Sequence, residues 1–161
     1  MSRTSMLAVA TSFFLAVGLG GWAASAADSS VDSHTTRPTH FTLTYTRSES
    51  ALIPQGTTAD PIGTEFVFHD IEADSTGATV GYADGSFVRT MASGRANGNA
   101  TVTVTGGTLE IAASVLLGDQ PPQIYAVVGG TGLYVGAQGS VVVSASVDYP
   151  THGTMVFDLL K

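Results

Sequence analysis

Three carboxylates, Glu65, Asp70 and Glu110, stand in segments whose other residues are mostly apolar or β-forming. An acid desolvated against hydrocarbon keeps its proton to higher pH and can give it, or a hydrogen bond, to a reacting oxygen. Glu65 and Asp70 are an odd number of positions apart, so on a strand they point to opposite faces and only one can face an interior. Asp70 shares parity with Phe66 and Phe68, and Glu65 with Val67 and His69. With the phenylalanine face inward, Asp70 is the interior acid and its pKa is expected to rise. The plainer reading of Asp70 is a strand-end acid bonded to turn amides or water. His69 can pair with Glu65, yet no H-x-H or H-x-x-x-H spacing accompanies it, and His34, His40 and His152 are scattered. No metal site is expected from such spacing, and no G-x-S-x-G elbow supports a serine nucleophile. Tyr45, Phe66, Phe68, Tyr82, Phe87, Tyr125 and Tyr134 supply aromatic walls and a few hydroxyls for a substrate-binding cavity. Taken singly, the plainer reading of each is core. Arg89 either stabilises an anion or faces solvent beside an acid.

The elements that carry these residues are strands. Phe41, Leu43 and Tyr45 alternate with threonines, as do Ala100, Val102 and Val104. Leu109, Ile111, Ala113 and Val115 repeat the period, then Val141, Val143, Ala145 and Val147, then Met155, Phe157 and Leu159. A period of two gives each segment one apolar face, and no amphipathic helix of useful length occurs. Turn residues fall at Ser75-Thr76-Gly77, Ala83-Asp84-Gly85, Asn97-Gly98-Asn99, Gly106-Gly107 and Gly118-Asp119. With further segments at 64–72, 78–83 or 78–90, and 123–128, this predicts an all-β domain of about eight short antiparallel strands. Closing them in sequence order makes an up-and-down barrel without exposed edges; a two-layer sandwich fits the same alternation.

Composition narrows the partners. The chain has 161 residues, a formal net charge of −7 and no cysteine. So acidic a chain offers phosphate no basic stripe, which argues against nucleic acid, and disulfides and thiolate chemistry are excluded. At the N-terminus Arg3, an apolar run over residues 6–17 and Ala24-Ser25-Ala26 read as a secretory signal cleaved after Ala26. Retention of the run as an anchor is the competing reading, but it is short for a spanning helix. The expected organisation is a signal over 1–26, a leader rich in Ser, Thr and Asp over 27–38, and a domain over 39–161. The protein is expected to be secreted, with no stable membrane anchor after cleavage.

Two segments carry a resemblance. One runs Gly63-Thr64-Glu65-Phe66-Val67-Phe68-His69-Asp70-Ile71-Glu72-Ala73-Asp74, followed by Val80-Gly81 and Gly85-Ser86-Phe87. The other runs Ala126-Val127-Val128-Gly129-Gly130-Thr131-Gly132-Leu133-Tyr134-Val135-Gly136-Ala137-Gln138-Gly139. They resemble the superfamily of allene oxide cyclases and dirigent proteins with their bacterial relatives, across nearly all of residues 39–161. The resemblance implies a calycin-like eight-stranded barrel with an apolar cavity, no metal or organic cofactor, and a homo-oligomer, a trimer by analogy. It implies isomerase-type work: a small hydrophobic intermediate held in one shape so that cyclisation or coupling is stereoselective. The GGTG block itself reads as a tight turn, because residues 135–146 read as a strand and a phosphate cradle needs a following helix. Two motifs of the plant members are missing. The glutamate and asparagine of the cyclases' first strand have no match in Leu43-Thr44-Tyr45-Thr46-Arg47, and Ala59-Asp60-Pro61 precedes the His69-Asp70 strand rather than following it. The scaffold therefore transfers and the plant reactions do not. A lipocalin-like carrier that uses the cavity without turnover, and a filled barrel acting through its outer surface, are the rival expectations.

Overall fold

Alternating Val, Ile, Thr and aromatic residues favour extended backbone with one buried face, and the chain folds accordingly. The computed structural model describes residues 38–55, 61–116, 122–146 and 151–160. The expected signal, all but the last residue of the expected leader, and the Gly118-Asp119 turn lie outside those residues. The strands are β1 (His40–Ile53), β2 (Glu65–Ala73), β3 (Thr79–Arg89), β4 (Arg95–Val104), β5 (Gly107–Leu116), β6 (Gln123–Gly130), β7 (Gly139–Ala145) and β8 (His152–Leu159). Each pairs antiparallel with its successor and β8 returns to β1, closing the barrel. The sandwich alternative is excluded.

Two expected turns are strand interiors. Ala83-Asp84-Gly85 lies within β3 and Asn97-Gly98-Asn99 within β4. Gly85 stands opposite Phe68 and Gly98 opposite Phe87. A Cβ on Gly85 would overlap the Phe68 ring, so this glycine makes room for a cross-strand aromatic rather than a reversal. Real turns occur at Asp74, whose Oδ1 accepts from the Thr76 amide at 2.8 Å beside Gly77 at φ 83°, and at Gly106-Gly107. A bulge between Arg47 and Glu49 shifts the register of β1 against β2. The bulge also flips parity: Leu43, Tyr45 and Arg47 face inward before it, and Leu52 after it.

The expected single strand over 135–146 is also corrected. A 3-10 turn, Gly132–Tyr134, precedes β7 and folds across one barrel end. Tyr134 is buried there, 6.2 Å from the ring of Phe41, which stacks on Phe157 at 4.7 Å. Leu109, Val141 and Phe157 are fully buried in the same core, each side chain contributing about 1.5–3 kcal/mol of apolar burial. One end of the barrel is thus plugged. Towards the other end the inward positions are small: Ala83, Ala100, Ala113 and Ala145, with Gly85 and Gly98 between them.

Gly85→Ala should destabilise the barrel by about 1–3 kcal/mol, since the added methyl overpacks against Phe68. Urea denaturation measures it, and unchanged stability would show that Phe68 is not held over Gly85.

Candidate functional site

The small inward residues leave a cavity of about 450 Å³ open at the unplugged end. One wall is aromatic. Phe68 lies 5.9 Å from Phe66 and 5.9 Å from Phe87, nearly parallel to the latter at 6°. The guanidinium of Arg47 sits 4.5 Å above the Phe68 ring and 5.3 Å from that of Phe66, an attraction between cation and ring face that strengthens away from water. Its Nε donates to Asp70 Oδ1 at 2.8 Å and its Nη2 to Oδ2 at 3.0 Å. This bidentate pair links facing positions of β1 and β2 and lines the cavity.

Two further polar groups complete the lining. Tyr45 and Tyr125 come from β1 and β6. Burial raises the pKa of Tyr45, against a lowering by Arg47, and burial with the nearby Tyr45 pushes Tyr125 up to about 12. Both hydroxyls therefore remain hydrogen-bond donors at neutral pH. Gly153 faces Tyr45 across the β1–β8 ladder, and a Cβ there would lie 2.6 Å from the tyrosine oxygen. Only a residue without a side chain lets that ring lie flat against β8. At the mouth, Arg89 donates from Nη2 to the carbonyl of Ala92 at 3.0 Å and from Nε to that of Met91 at 3.3 Å, tying the β3–β4 loop to the cavity rim.

Of the residues singled out from sequence, the cavity brings together Asp70, Tyr45, Phe66, Phe68, Phe87, Arg89 and Tyr125. It does not include four others. Glu65 faces outward and accepts from the Ser86 hydroxyl. Glu110 faces outward and accepts from Thr101 Oγ1 at 2.8 Å. Tyr82 is on the outer face of β3 against His69, ring centres 5.5 Å apart. Tyr134 belongs to the plug. In each case strand parity or the 3-10 turn decides the direction. His69 pairs with Asp84 at 2.7 Å rather than with Glu65, and that hydrogen bond raises its pKa on the outer surface.

Two charged residues were missed, Arg47 and Glu72. Both continue the inward parity of their strands, Arg47 after Tyr45 and Glu72 after Asp70, and that is the signal that could have found them. Glu72 is 0% exposed, and among the described residues neither carboxyl oxygen has a hydrogen-bond partner. Burial, with the charge of Asp70 adding to it, lifts its pKa from 4.5 to about 8, so at neutral pH it is the uncharged acid.

Comparison with solved structures places this architecture among known barrels. A pyocyanin demethylase matches with a TM-score of 0.65 and 22% identity over 75% of this chain and 99% of that one. A pterocarpan synthase dirigent protein matches at 0.59 and 22%, over 75% and 84%. The Diels-Alderase AbmU from Streptomyces koyangensis matches at 0.63 and 17%, over 76% and 64%. The fold is that of the dirigent and cyclase barrels. No family model matches the sequence, and comparison with curated proteins finds no match. At these identities the shared property is the barrel, and the charged pair, the tyrosines and Glu72 must be argued from this chain's own geometry.

Glu72 makes a signed prediction. A raised folded-state pKa means that its contribution to stability is full below pH 4.5, declines as pH rises, and is lost once pH passes about 8. Holding that proton at neutral pH costs about 3 kcal/mol relative to a side chain that needs none. Glu72→Gln should therefore stabilise the protein at neutral pH by up to about that amount. The variant should also flatten the wild-type decline in denaturation midpoint with rising pH. Parallel pH profiles for the two proteins would refute it.

Proposed function

We propose that this barrel takes up a small, largely apolar molecule and holds it in one reactive shape, so that ring closure or coupling gives one stereoisomer. The observation that carries the reading is a 450 Å³ cavity whose apolar wall is interrupted by a bidentate Arg47–Asp70 pair beside Tyr45. The volume lies in the range of small-molecule sites. The work required is orientation: the cavity replaces many solution conformers by a few near-attack ones. Fixed donors then stabilise charge as it develops on a ligand oxygen. The dirigent and Diels-Alderase barrels of the same fold have names in keeping with such chemistry. A purely apolar lumen would favour the carrier; an acid beside a tyrosine favours catalysis, and for this reason the isomerase-type reading leads.

Secretion follows from the N-terminal pattern of Arg3, the apolar run and Ala24-Ser25-Ala26. A homo-oligomer, a trimer by analogy with the plant proteins, is supported by the exposed Ile124 and Val128 on the outer face of β6. Among the described residues no helix is long and apolar enough to cross a membrane.

Uptake of an uncharged naphthylamine dye, followed by fluorescence, tests the cavity. Ala113→Trp should fill the lumen and cut binding at least about tenfold, as expected when a pocket's volume is occupied. Asp70→Asn should spare uptake but abolish selectivity in the cyclisation of a reactive polyunsaturated substrate, read by chiral chromatography; unchanged selectivity removes Asp70 from the mechanism. Mass spectrometry of protein recovered from culture medium should give a chain beginning at Ala27, and solution mass three chains per particle. A chain retaining Arg3, or a monomer, rejects the respective proposal.

A further inference from the structure

Glu72 takes no part in that reading, and its surroundings give it a specific task. On β2 it occupies the inward position next to Asp70, and across the β1–β2 ladder it faces Tyr45 as Asp70 faces Arg47. The four residues form a two-by-two block on one face of adjoining strands. On its other side β3 offers Gly81 opposite Glu72 and Ala83 opposite Asp70, neither of them titratable. Tyr125 on β6 joins the block electrostatically through Tyr45. Arg47 is therefore the block's single cation, and both its Nε and one Nη are already committed to Asp70. A second carboxylate here would stand beside Asp70 with no cation of its own, itself out of reach of solvent. Leaving Glu72 neutral removes the conflict.

We propose that Glu72 is a positioning residue that retains its proton so that Arg47 stays matched to Asp70. The cavity then presents the hydroxyls of Tyr45 and Tyr125 as donors to an oxygen acceptor, of the carbonyl type, on its ligand. The proposal rests on the cavity being a ligand site and names the ligand's polar end. Ionising Glu72 places a negative charge beside Tyr45 and Asp70 and opposes the partial charge of an acceptor oxygen there. Its pKa of about 8 puts that change just above neutrality. Ligands with a carbonyl should lose affinity across this range, and purely hydrocarbon ones should not.

Two measurements separate this inference from the reading it rests on. Infrared difference spectra across pH should show a protonated-carboxyl band at neutral pH that is lost as pH passes about 8. The band should be absent from Glu72→Gln, and in Asp70→Asn, which lacks the neighbouring charge that helps hold the proton, it should be lost at lower pH than in wild type. No band at neutral pH, or one surviving in Glu72→Gln, overturns the proposal without reference to any ligand. In the second measurement prodan, a naphthyl ketone, is titrated against wild type and Glu72→Gln, beside a naphthylamine dye that lacks a carbonyl. Prodan affinity should fall about tenfold or more as wild-type Glu72 ionises, the effect of one nearby charge. It should stay level in Glu72→Gln, as should the second dye in both proteins. A wild-type prodan profile that ignores the titrating band overturns the positioning role while leaving the ligand site intact. Failure of both dyes to enter wild type overturns the ligand site, and with it the carbonyl-facing part of the proposal.

Discussion

The Arg47–Asp70 pair is the interaction around which the cavity is organised. A salt bridge taken out of water gains Coulomb energy but loses hydration, and well-packed apolar residues of similar volume often do as well or better. Removing one partner is different: it strands the other charge and costs about 3–5 kcal/mol. Here the carboxylate is 6% exposed and the guanidinium 22%, so neither ion is comfortably solvated if left alone. Stability alone does not explain why such a pair lines an apolar lumen. Its effect is to fix a charge and its countercharge at known positions, with the cation flattened against Phe68. That arrangement is what a site needs if it is to act on developing charge without reorganising.

A cavity can exist at all only because the barrel's inward side chains are graded by size. Eight strands enclose just enough room for side chains to fill the interior. In the plugged half they do, with Phe41, Leu109 and Phe157 reinforced by Tyr134 from the 3-10 turn. In the open half alanines and glycines take those positions, and the aromatic rings lie along the wall instead of across the lumen. Gly85 and Gly98 are central to this: Gly85 lets the Phe68 ring of the neighbouring strand settle over backbone, and Gly98 lets the β3 backbone at Ser86 and Phe87 approach closely. The same device holds Tyr45 against Gly153. The plug supplies stability and the opposite end supplies volume, so the cost of an unfilled interior is confined to one half.

Strand parity made most of this legible. The alternation through residues 41–45, 100–104, 109–115 and 155–159 gives the barrel, and Phe66, Phe68 and Asp70 on one parity give its inner wall. Glycine misled in both directions. Gly85 and Gly98 carry the composition of turns, yet Gly85 receives the Phe68 ring and Gly98 the β3 backbone at Ser86, pairings that no local window contains. Gly132 and Gly136 do serve a reversal, at φ 59° and 69°, but the 3-10 turn between them is what directs Tyr134 into the plug. The bulge after Arg47 left no mark in the sequence either; it is visible only once β1 is in register with β2. Arg47 and Glu72 were the readable omissions. Each is a charged residue on the apolar parity, and a formal charge at an inward position calls for a partner or a proton.

That last distinction bears on what the lumen can do. Arg47 and Asp70 cancel, the adjoining Glu72 is neutral, and the tyrosines keep their protons, so this part of the cavity wall carries no net charge while holding several donors. A carrier needs only the apolar area, since burial of hydrocarbon supplies affinity without regard to direction. Oriented dipoles in a water-poor space add little to the retention of a hydrocarbon ligand and much to a transition state in which negative charge gathers on one oxygen. The unsatisfied Glu72 sharpens the contrast. Its buried carboxyl gives nothing back in hydrogen bonds and makes the fold less stable above its usual pKa, a liability that a simple container would shed by replacing it with leucine. Retaining an acid there is physically reasonable only if the charge state of its neighbours matters, and those neighbours are the groups that would face a reacting ligand.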